Sequence, residues 1–476
     1  MKFEAVIGLE VHAELLTKTK VFCGCSTKFG GKPNTHICPT CLGLPGALPQ
    51  LNRRVVEYGI KAGLALNCSI TKFTRMDRKN YFYPDSPKNY QITQQDYPLC
   101  KNGYIDIELE GKNKRINIER IHIEEDAGKL IHTEEGSLID FNRAGVPLIE
   151  IVSKADIRSP KEAVGYLVKL RSILQSIGVS DCKMEEGSLR CDANISVRKK
   201  GDNSLGVKCE IKNMNSFKAL EKALNYEFKR QVECIKNDKI LYQETRRWDE
   251  ENSVTVVMRS KEETNDYRYL PEGDLSTVII KDEWIEKIKR TIPELPYEKE
   301  ERFIKEYNIP KYDASIITSN LYIADFFEET TKLCRDPKAA SNWIMGDILK
   351  FINKNNIALD KTKITPQHLS ELIRLINEGI ISNSIGKKVI EEIFQTGKYA
   401  KEIVEEKGWV QNNNRDEILE VIKEVLKNNL KNVEEYKSGK AKLLGYFIGE
   451  VMKATKGKAN PNIINKIIIE ELNNIN

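Results

Sequence analysis

The chain has 476 residues, of which 40% are hydrophobic and 30% are charged, and its formal net charge is +5. This composition is typical of a globular enzyme of about two to four domains, and the near balance of charges does not mark a general nucleic-acid binder. No apolar run is long enough to cross a bilayer. Because Glu4 and Glu10 interrupt the first apolar stretch, we expect no signal peptide and a cytoplasmic chain with reduced cysteines.

The first predicted strand is VIGLEVHAEL, residues 6–15. Its odd-numbered residues are all apolar and are expected to face a core, because side chains alternate between the two faces of a strand. The even-numbered face carries Glu10, His12 and Glu14. A strand that gives one face to two carboxylates and an imidazole indicates a polar site on that face.

A cysteine quartet follows in CGCSTKFGGKPNTHICPTC, residues 23–41. Two close pairs, Cys23 with Cys25 and Cys38 with Cys41, flank a loop rich in glycine and proline. This spacing favours a closed, structural zinc site that leaves no position for water. The alternatives are free core cysteines and a thioredoxin-like redox pair, although the flanking sequence lacks the strand and helix that such a pair needs.

Four later segments repeat the pattern of the first strand, with acidic residues inside apolar runs. IHIEEDAGKL contains Glu124 and Glu125, AGVPLIEIVS contains Glu150, and GSLRCDANISV and GVKCEIKNMNS contain Asp192 and Glu210. An antiparallel sheet of such strands has one core face and one polar face. We expect an open polar basin suited to Mg²⁺ or Mn²⁺, with these lining residues: Glu10, His12, Glu125, Glu150, Asp192 and Glu210. The alternative is a solvated sheet face with ordinary surface charges.

The second part of the chain is predicted to be helical. Residues 291–300, TIPELPYEKE, indicate a connector, and from residue 301 apolar residues recur at helical spacing. Thr365 is a predicted N-cap with Pro366 at the first helical position, and Gly379 ends that helix. A lysine-rich stretch near the C-terminus indicates either a backbone clamp for RNA or a solvated helix face; its lysines are Lys437, Lys440, Lys442, Lys453, Lys456 and Lys458.

The common motifs of nucleotide and acyl chemistry are absent from the sequence. There is no G-x-x-x-x-G-K-[ST], no G-x-G-x-x-G that opens a helix and no G-x-S-x-G. If the chain binds ATP, we therefore expect the nucleotide to lie on the sheet.

Six longer motifs carry a resemblance to a known family. They are GLEVHAEL, RKNYFYPDSPKNYQITQQDYPL, NRAGVPLIEIVS, GSLRCDANISVR, EIKNMNSF and MRSKEETNDYRYLPEGDL. In this order they strongly resemble the B subunit of aspartyl/glutamyl-tRNA(Asn/Gln) amidotransferases, from about residue 3 to the C-terminus. The chain has Gly273 where the last motif usually has proline. Only part of the family has the cysteine quartet, so the zinc prediction depends on the spacing.

The resemblance implies an α+β fold in three parts. Residues 1–292 would form an antiparallel-sheet cradle domain similar to glutamine synthetase, for ATP, magnesium and amidation, with the zinc loop at 23–41. An all-α helical domain would occupy residues 293–405. A helical tail domain that binds tRNA would occupy residues 406–476.

The resemblance also implies the activity. The B subunit is the kinase and amidation part of a three-subunit enzyme, a carbon–nitrogen ligase that uses glutamine as amido donor. ATP phosphorylates the side-chain carboxylate of Glu-tRNA(Gln) or Asp-tRNA(Asn), and ammonia from the partner glutaminase subunit then forms Gln-tRNA(Gln) or Asn-tRNA(Asn). A third, small subunit tethers the other two.

We assign site residues on this basis. The predicted magnesium ligands are Glu10, His12, Glu125 and Glu150, with Glu124, Asp192 and Glu210 as ligands or near neighbours. The residues predicted to neutralise phosphates are Lys79, Arg190 and Lys208, and Tyr81 is expected to border the pocket. The alternative function is a non-catalytic tRNA-binding zinc scaffold, which would not need acids and a histidine in the middle of apolar strands.

Overall fold

The computed structural model describes residues 2–260, 267–410, 414–440, 442–455, 459 and 461–474. The chain divides into two compact units, Met1–Pro296 and Tyr297–Asn476. The first unit contains all the described strands and four helices. The second unit contains only helices among its described residues.

The first unit contains sixteen described strands, and the longest of them belong to its main sheet. Their bounds are β1 Phe3–Glu14, β2 Ser69–Ile70, β3 Phe73–Thr74, β4 Asp77–Asn80, β5 Tyr90–Thr93, β6 Cys100–Leu109, β7 Lys112–Glu125, β8 Lys129–Thr133, β9 Gly136–Asp140, β10 Pro147–Ser153, β11 Leu189–Lys199, β12 Cys209–Lys212, β13 Glu244–Asp249, β14 Val254–Ser260, β15 Leu270–Pro271 and β16 Val278–Ile279. The helices are α1 Arg53–Ala65, α2 Pro160–Ser176, α3 Phe217–Lys236 and α4 Asp282–Lys289.

Nine of these strands form one sheet in the order β14-β13-β12-β11-β1-β10-β7-β6-β2. Adjacent strands of this sheet pair antiparallel, except that β12 and β13 pair parallel. The long helix α3 lies between β12 and β13 in the chain and supplies the crossover that a parallel pair needs. The N-terminal strand β1 therefore lies in the middle of the sheet, between β10 and β11.

Helices cover one face of this sheet and bury its apolar residues. Helix α1 contacts β6 and β7, α2 contacts β6, and α3 contacts β11. Gly59 of α1 lies so close to the sheet that a Cβ there would meet Leu99 at 2.5 Å, with Ile123 and Ile149 at 3.8 Å. Because alternate residues of a strand point to opposite faces, the other face of the sheet is left for the polar residues of the same strands.

The second unit is a set of short helices with two separate apolar clusters. Their bounds are α5 Pro296–Tyr307, α6 Lys311–Thr318, α7 Leu321–Cys334, α8 Pro337–Trp343, α9 Leu349–Asn355, α10 Pro366–Asn377, α11 Asn383–Thr396, α12 Ala400–Glu406, α13 Arg415–Asn428, α14 Leu430–Lys437, α15 Leu443–Ala454 and α16 Pro461–Asn474, with a π-helical turn at Ile344–Ile348 between α8 and α9. One cluster runs from residue 303 to 404 and the other from 418 to 472.

The helix predicted after Thr365 is confirmed. Thr365 is the N-cap of α10, Pro366 opens the helix, and His368 completes a capping box with Thr365. Gly379 follows the last turn with φ +70°, a conformation that glycine adopts at little cost. The predicted class, an antiparallel-rich sheet followed by helices, is likewise confirmed.

Candidate active site

The polar face of the sheet gathers acidic residues and histidines from neighbouring strands. The antiparallel register places His12 opposite Glu150, and Glu150 opposite His122. On the other side of β1, Glu10 lies opposite Asp192. Residues directly opposite in an antiparallel pair share a face, so these side chains form rows across the strands.

A cavity of about 440 Å³ opens above these rows. Its polar and charged lining residues are Glu10, His12, Lys79, Thr93, Gln94, Gln95, Arg120, His122, Glu124, Glu150, Asp192, Glu210, Lys212, Thr245, Tyr267 and Tyr269. We call this cavity the acidic cavity.

One side of the acidic cavity is a cluster of imidazoles and carboxylates. His12 Nε2 lies 3.2 Å from Glu124 Oε1 and 3.6 Å from Glu150 Oε2, and His122 Nε2 lies 3.1 Å from the same Glu150 oxygen. Burial alone would lower the pKa of His12, but Glu150 and Glu124 raise it well above its usual value. Burial alone would raise the pKa of Glu150, but the two histidines hold it well below its usual range.

Three of these residues have the geometry of a metal site. One ligand atom each from His12, Glu124 and Glu150 lies within 4.8 Å of the others. Two carboxylates and one imidazole form a donor set that suits Mg²⁺ or Mn²⁺. The residues present therefore fit the divalent cation that the sequence predicts.

On the other side of the acidic cavity, an ammonium group lies between two carboxylates. Lys212 Nζ contacts Asp192 Oδ2 and lies 3.2 Å from Glu210 Oε1. Thr245 Oγ1 donates a hydrogen bond of 2.8 Å to Glu210 Oε2. Burial opposes the charge of Lys212, but the two carboxylates raise the pKa of its ammonium group above the usual value.

Glu10 lies between the two clusters on β1. Burial raises the pKa of its carboxyl group, and the charges of Glu150 and Glu210 raise it further. Asn194 Nδ2 donates a 2.8 Å hydrogen bond to Glu10 Oε1 and partly offsets this effect.

Lys79 and two tyrosines close the edge of the acidic cavity. Lys79 Nζ lies 4.9 Å from the centroid of the Tyr267 ring, and the Tyr267 and Tyr269 rings are 6.2 Å apart. Burial opposes the charge of Lys79, but Glu124 and Tyr269 raise its pKa. The edge of the cavity therefore has a cation that is stabilised by its surroundings.

The structure brings most of the predicted site residues together. Those that line the acidic cavity are Glu10, His12, Lys79, Glu124, Glu150, Asp192 and Glu210.

The predicted position of Glu125 in the basin is wrong. Consecutive residues of β7 point to opposite faces, so Glu124 shares the polar face with His122, and Glu125 points away from the acidic cavity. Glu125 Oε1 accepts a 2.9 Å hydrogen bond from the backbone N–H of Ile92 and lies 2.6 Å from Lys88 Nζ. Glu124 takes the place that was expected for Glu125.

Three other predicted residues lie outside the acidic cavity. Arg190 is on β11 but donates to Asp126 Oδ2 at 2.6 Å, beside Glu14. Lys208 is an exposed residue just before β12. Tyr81 lines a neighbouring cavity instead.

Sequence reasoning missed nine of the polar and charged residues that line the acidic cavity: His122, Lys212, Thr93, Gln94, Gln95, Arg120, Thr245, Tyr267 and Tyr269. A signal existed for the first two. His122 is two residues from Glu124, and Lys212 is two residues from Glu210. Residues two apart in a strand point to the same face, so each lies on the polar face of its strand.

The cysteine quartet forms one cluster, as the spacing predicted. The four Sγ atoms of Cys23, Cys25, Cys38 and Cys41 lie within 4.8 Å of one another. A hydrogen bond from Cys23 is the main cause that lowers the pKa of Cys41 to about 4, and Lys20 lowers it further. A thiolate is the form that binds a metal, so this cluster could hold an ion such as zinc.

Four of the six predicted RNA-contacting lysines belong to the described residues. Lys440 Nζ lies 3.0 Å from Glu435, and Lys453 Nζ lies 2.6 Å from Glu450. Lys456 and Lys458 lie outside the described residues. Among the helices that the structure describes, none combines the length and apolar character needed to cross a membrane.

Comparisons with known proteins identify the family. Residues 5–286 match the model of the GatB/GatE catalytic domain, and residues 325–472 match the GatB domain. The chain is 70% identical to the aspartyl/glutamyl-tRNA(Asn/Gln) amidotransferase B subunit of Clostridium novyi, over 99% of this chain and all of the relative. It is 66% identical to the B subunit of Clostridium tetani over the full length of both chains. The chain therefore belongs to the family of aspartyl/glutamyl-tRNA(Asn/Gln) amidotransferase B subunits.

Proposed function

We propose that the chain is the kinase and amidation subunit of a glutamine-dependent tRNA amidotransferase. In the first step, a side-chain carboxylate oxygen of Glu-tRNA(Gln) or Asp-tRNA(Asn) attacks the γ-phosphorus of ATP, and ADP leaves. In the second step, ammonia attacks the carbonyl carbon, phosphate leaves, and the nitrogen loses a proton. The amide of Gln-tRNA(Gln) or Asn-tRNA(Asn) results.

The acidic cavity is the observation that carries this proposal. Phosphoryl transfer needs positioned reactants and compensation of charge more than covalent chemistry by the protein. His12, Glu124 and Glu150 would hold Mg²⁺, with Glu10, Asp192 and Glu210 as the second group of acids. Bound magnesium would neutralise phosphate oxygens. Lys79 and Lys212 line the same cavity, where their ammonium groups could orient the two anionic substrates.

The cysteine cluster supports a separate, structural role. Cys23, Cys25, Cys38 and Cys41 would complete the coordination of one Zn²⁺, so the ion would stabilise the loop and would not take part in the reaction. Cys41 Sγ also accepts a 3.1 Å hydrogen bond from the backbone N–H of Cys38. Such outer contacts orient a ligand before the metal binds.

The proposed partners follow from the family. A glutaminase partner would supply ammonia, a small tether protein would join the two, and the lysine-rich tail would bind the tRNA backbone. Because the substrates are aminoacyl-tRNAs used in protein synthesis, we place the enzyme in the cytoplasm. The likeness of the sheet unit to glutamine synthetase remains a prediction.

Release of ADP by the reconstituted enzyme tests the proposal. With the glutaminase and tether partners, glutamine and both misacylated tRNAs, we expect ADP release that depends on tRNA. His12→Ala should abolish it, because the imidazole is part of the proposed magnesium site. Glu119→Gln, at an exposed position of β7, is the matched control. No ADP release by the unaltered enzyme with either tRNA would favour the alternative, a non-catalytic tRNA-binding scaffold.

A further inference from the structure

Arg120 is the one arginine among the described residues that line the acidic cavity. It belongs to β7, and His122 and Glu124 follow it at two and four residues along the same strand. Residues two apart in a strand point to the same face, so these three side chains lie together on the polar face. Arg120 is therefore the neighbour, along β7, of the cluster of imidazoles and carboxylates.

A bulge in β7 directs Arg120 to this face. Glu119 is an extra residue between Ile118 and Arg120 in the pairing with β10, which shifts by one position there. Ile118 before the bulge and Ile121 after it are both buried in the core, so the alternation of the two faces reverses at Glu119. With strict alternation, Arg120 would share the core face of Ile118. Bulges that redirect a side chain are common beside active sites.

The guanidinium of Arg120 differs from the ammonium group on the other side of the acidic cavity. Lys212 contacts two carboxylates, whereas among the described residues Arg120 has no ion-pair partner, and its buried Nε has no hydrogen-bond acceptor. Its neighbour on β10 is Val152, and the next residue of that row, Glu10, lies two strands away, at a backbone separation of roughly 10 Å. The Arg120 side chain as a whole is partly accessible, so an anion in the cavity can reach it.

Arg120 and Lys79 act on the same part of the acidic cavity. Burial raises the pKa of Tyr269, and the positive charges of Lys79 and Arg120 oppose that rise. Both cations are therefore close enough to influence one phenol. An anion that enters here would meet a compact ammonium group and a planar fork of N–H donors.

A phosphoryl group suits Arg120 better than the substrate carboxylate does. A guanidinium can bind two phosphoryl oxygens at once, and such bidentate contacts are strong. The carboxylate loses its charge when it is phosphorylated, so a cation fixed on it would stabilise the reactant and oppose the reaction. The phosphoryl group stays anionic in ATP, in the acyl phosphate and in free phosphate.

We propose that Arg120 is a catalytic residue that binds the phosphoryl group in both steps of the reaction. In the first step it would hold the phosphoryl oxygens while the bond to the carboxylate oxygen forms and ADP leaves with the electron pair of the broken P–O bond. In the second step ammonia attacks the carbonyl carbon and the nitrogen releases one proton to solvent. The C–O bond breaks with its electron pair on phosphate, and Arg120 would stabilise the charge of this leaving group. This assignment rests on the proposed function and adds the residue that binds the transferred group.

Nucleotide affinities of the full-length chain test the assignment without turnover. The probes are ADP and the β,γ-imido analogue of ATP, each with Mg²⁺, and the method is titration calorimetry. Arg120→Met keeps an unbranched side chain and removes the guanidinium. We expect it to weaken the triphosphate at least about tenfold, as for the loss of a hydrogen bond to a charged group, and to leave the affinity for ADP unchanged.

Two further variants control for charge and for folding. Arg120→Lys keeps the charge but not the fork of donors, so it should recover only part of the lost affinity. Arg247→Met, at an exposed arginine of β13 outside the acidic cavity, should bind both nucleotides normally. Arg120→Met should melt at the same temperature as the unaltered chain, because Arg120 has no ion pair to lose within the described part of the chain.

Kinetics of the assembled amidotransferase give a second readout. Arg120→Met should lower kcat at least about a hundredfold, since a donor aimed at charge in the transition state is lost. The KM for the misacylated tRNA should not change. Methylguanidinium added to the buffer should restore part of kcat in Arg120→Met and none in Arg247→Met, which has lost no activity.

Two results would overturn the role of Arg120 alone. Equal weakening of ADP and of the triphosphate would assign Arg120 to the phosphates that stay with ADP. Unchanged affinity for both nucleotides would remove the contact with the phosphoryl group, and a raised KM for the tRNA would then assign Arg120 to the substrate carboxylate. An unaltered chain that binds neither nucleotide is a different outcome, because it would contradict the proposed function and this assignment with it.

Discussion

Two histidines contact one carboxylate oxygen at the centre of the polar face. His12 Nε2 and His122 Nε2 lie 3.6 Å and 3.1 Å from Glu150 Oε2. The arrangement keeps Glu150 ionised despite its burial. A carboxylate that is charged and held in place before a cation arrives is what a preorganised metal site needs.

The two neighbouring glutamates of β7 should differ sharply in cation binding. We expect Glu124→Gln to weaken Mn²⁺ binding by at least about tenfold, since even the loss of a residue that only supports a ligand has an effect of that size. Glu125→Gln should leave Mn²⁺ affinity unchanged, because Glu125 points to Lys88 on the opposite side. Electron paramagnetic resonance titration of the full-length chain measures both. Equal effects of the two substitutions would contradict the assignment.

Glu14 gives a prediction about pH. Burial and the charge of Asp126 raise the pKa of its carboxyl group from 4.5 to about 8. Between these values the folded chain binds a proton that the unfolded chain lacks, so this group makes folding less favourable as the pH rises through that interval. Glu14→Gln should therefore raise the melting temperature at pH 8 and have little effect at pH 4.5. A pH-independent change would show that the carboxyl group titrates normally.

The alternation of side chains along a strand explains which residues of the acidic cavity the sequence could predict and which it could not. The alternation of β1 places Glu10 and His12 on one face, and the structure has them there. In IHIEED the same rule assigns Glu125 to the apolar face of Ile121 and Ile123. The sequence therefore already indicated that Glu124, and not Glu125, lies on the polar face. Tyr267 and Tyr269 follow no such rule, because they lie beyond the main sheet and reach the acidic cavity only through tertiary folding.

Among the elements, the cysteine loop is attached to a neighbouring hairpin. Asn34 of the loop accepts a hydrogen bond from the backbone N–H of Phe141 at 2.8 Å and donates to the carbonyl oxygen of Ile139 at 2.9 Å. Ile139 belongs to β9, which pairs with β8. These two hydrogen bonds connect the loop to the β8–β9 hairpin.

Loss of one cysteine should destabilise this loop more than it affects the reaction. We expect the purified chain to contain one zinc ion, and Cys38→Ser to lose it and to melt at a lower temperature, because binding to a closed site adds to folding free energy. Cys234→Ser, at a partly buried cysteine of α3, is the control and should retain zinc. Metal analysis under non-chelating conditions measures the zinc content of the chain and its variants. An unaltered chain without zinc would refute the prediction.

Elements with local signals were predictable, and those fixed by long-range contacts were not. The start of α10 is encoded in Thr365 and Pro366, whose capping chemistry acts within one turn. The parallel pairing of β12 with β13 has no local signal, because it depends on how α3 packs against β11 and returns the chain.

At the scale of the whole molecule, the last helices have an apolar cluster of their own. It extends from Ile418 to Leu472, whereas Trp409 packs against the preceding cluster. Each cluster is built from residues of its own stretch of chain. A truncation placed after Trp409 should therefore leave the preceding cluster intact.

Removal of residues 414–476 should weaken tRNA binding and spare ATP binding. The acidic cavity lies wholly in the first unit, and the lysine-rich stretch is lost with the tail. Each lost lysine–phosphate contact should lower the slope of log affinity against log salt by roughly one unit. Charge reversal at Lys442 and Lys453 should reproduce part of the effect, whereas Lys401→Glu should not. An unchanged slope for the truncated enzyme would show that these lysines are merely solvated.

The central position of β1 has a consequence for the order in which the protein forms. Phe3–Glu14 is synthesised well before its partners β10 and β11, which begin only at Pro147 and Leu189. Contacts between such distant segments close slowly, because a long loop must be ordered first. During translation an apolar strand edge therefore remains unpaired until residue 199 has emerged. A prematurely ended product that lacks β11 would expose that edge to other chains, which makes it a substrate for chaperones or for aggregation.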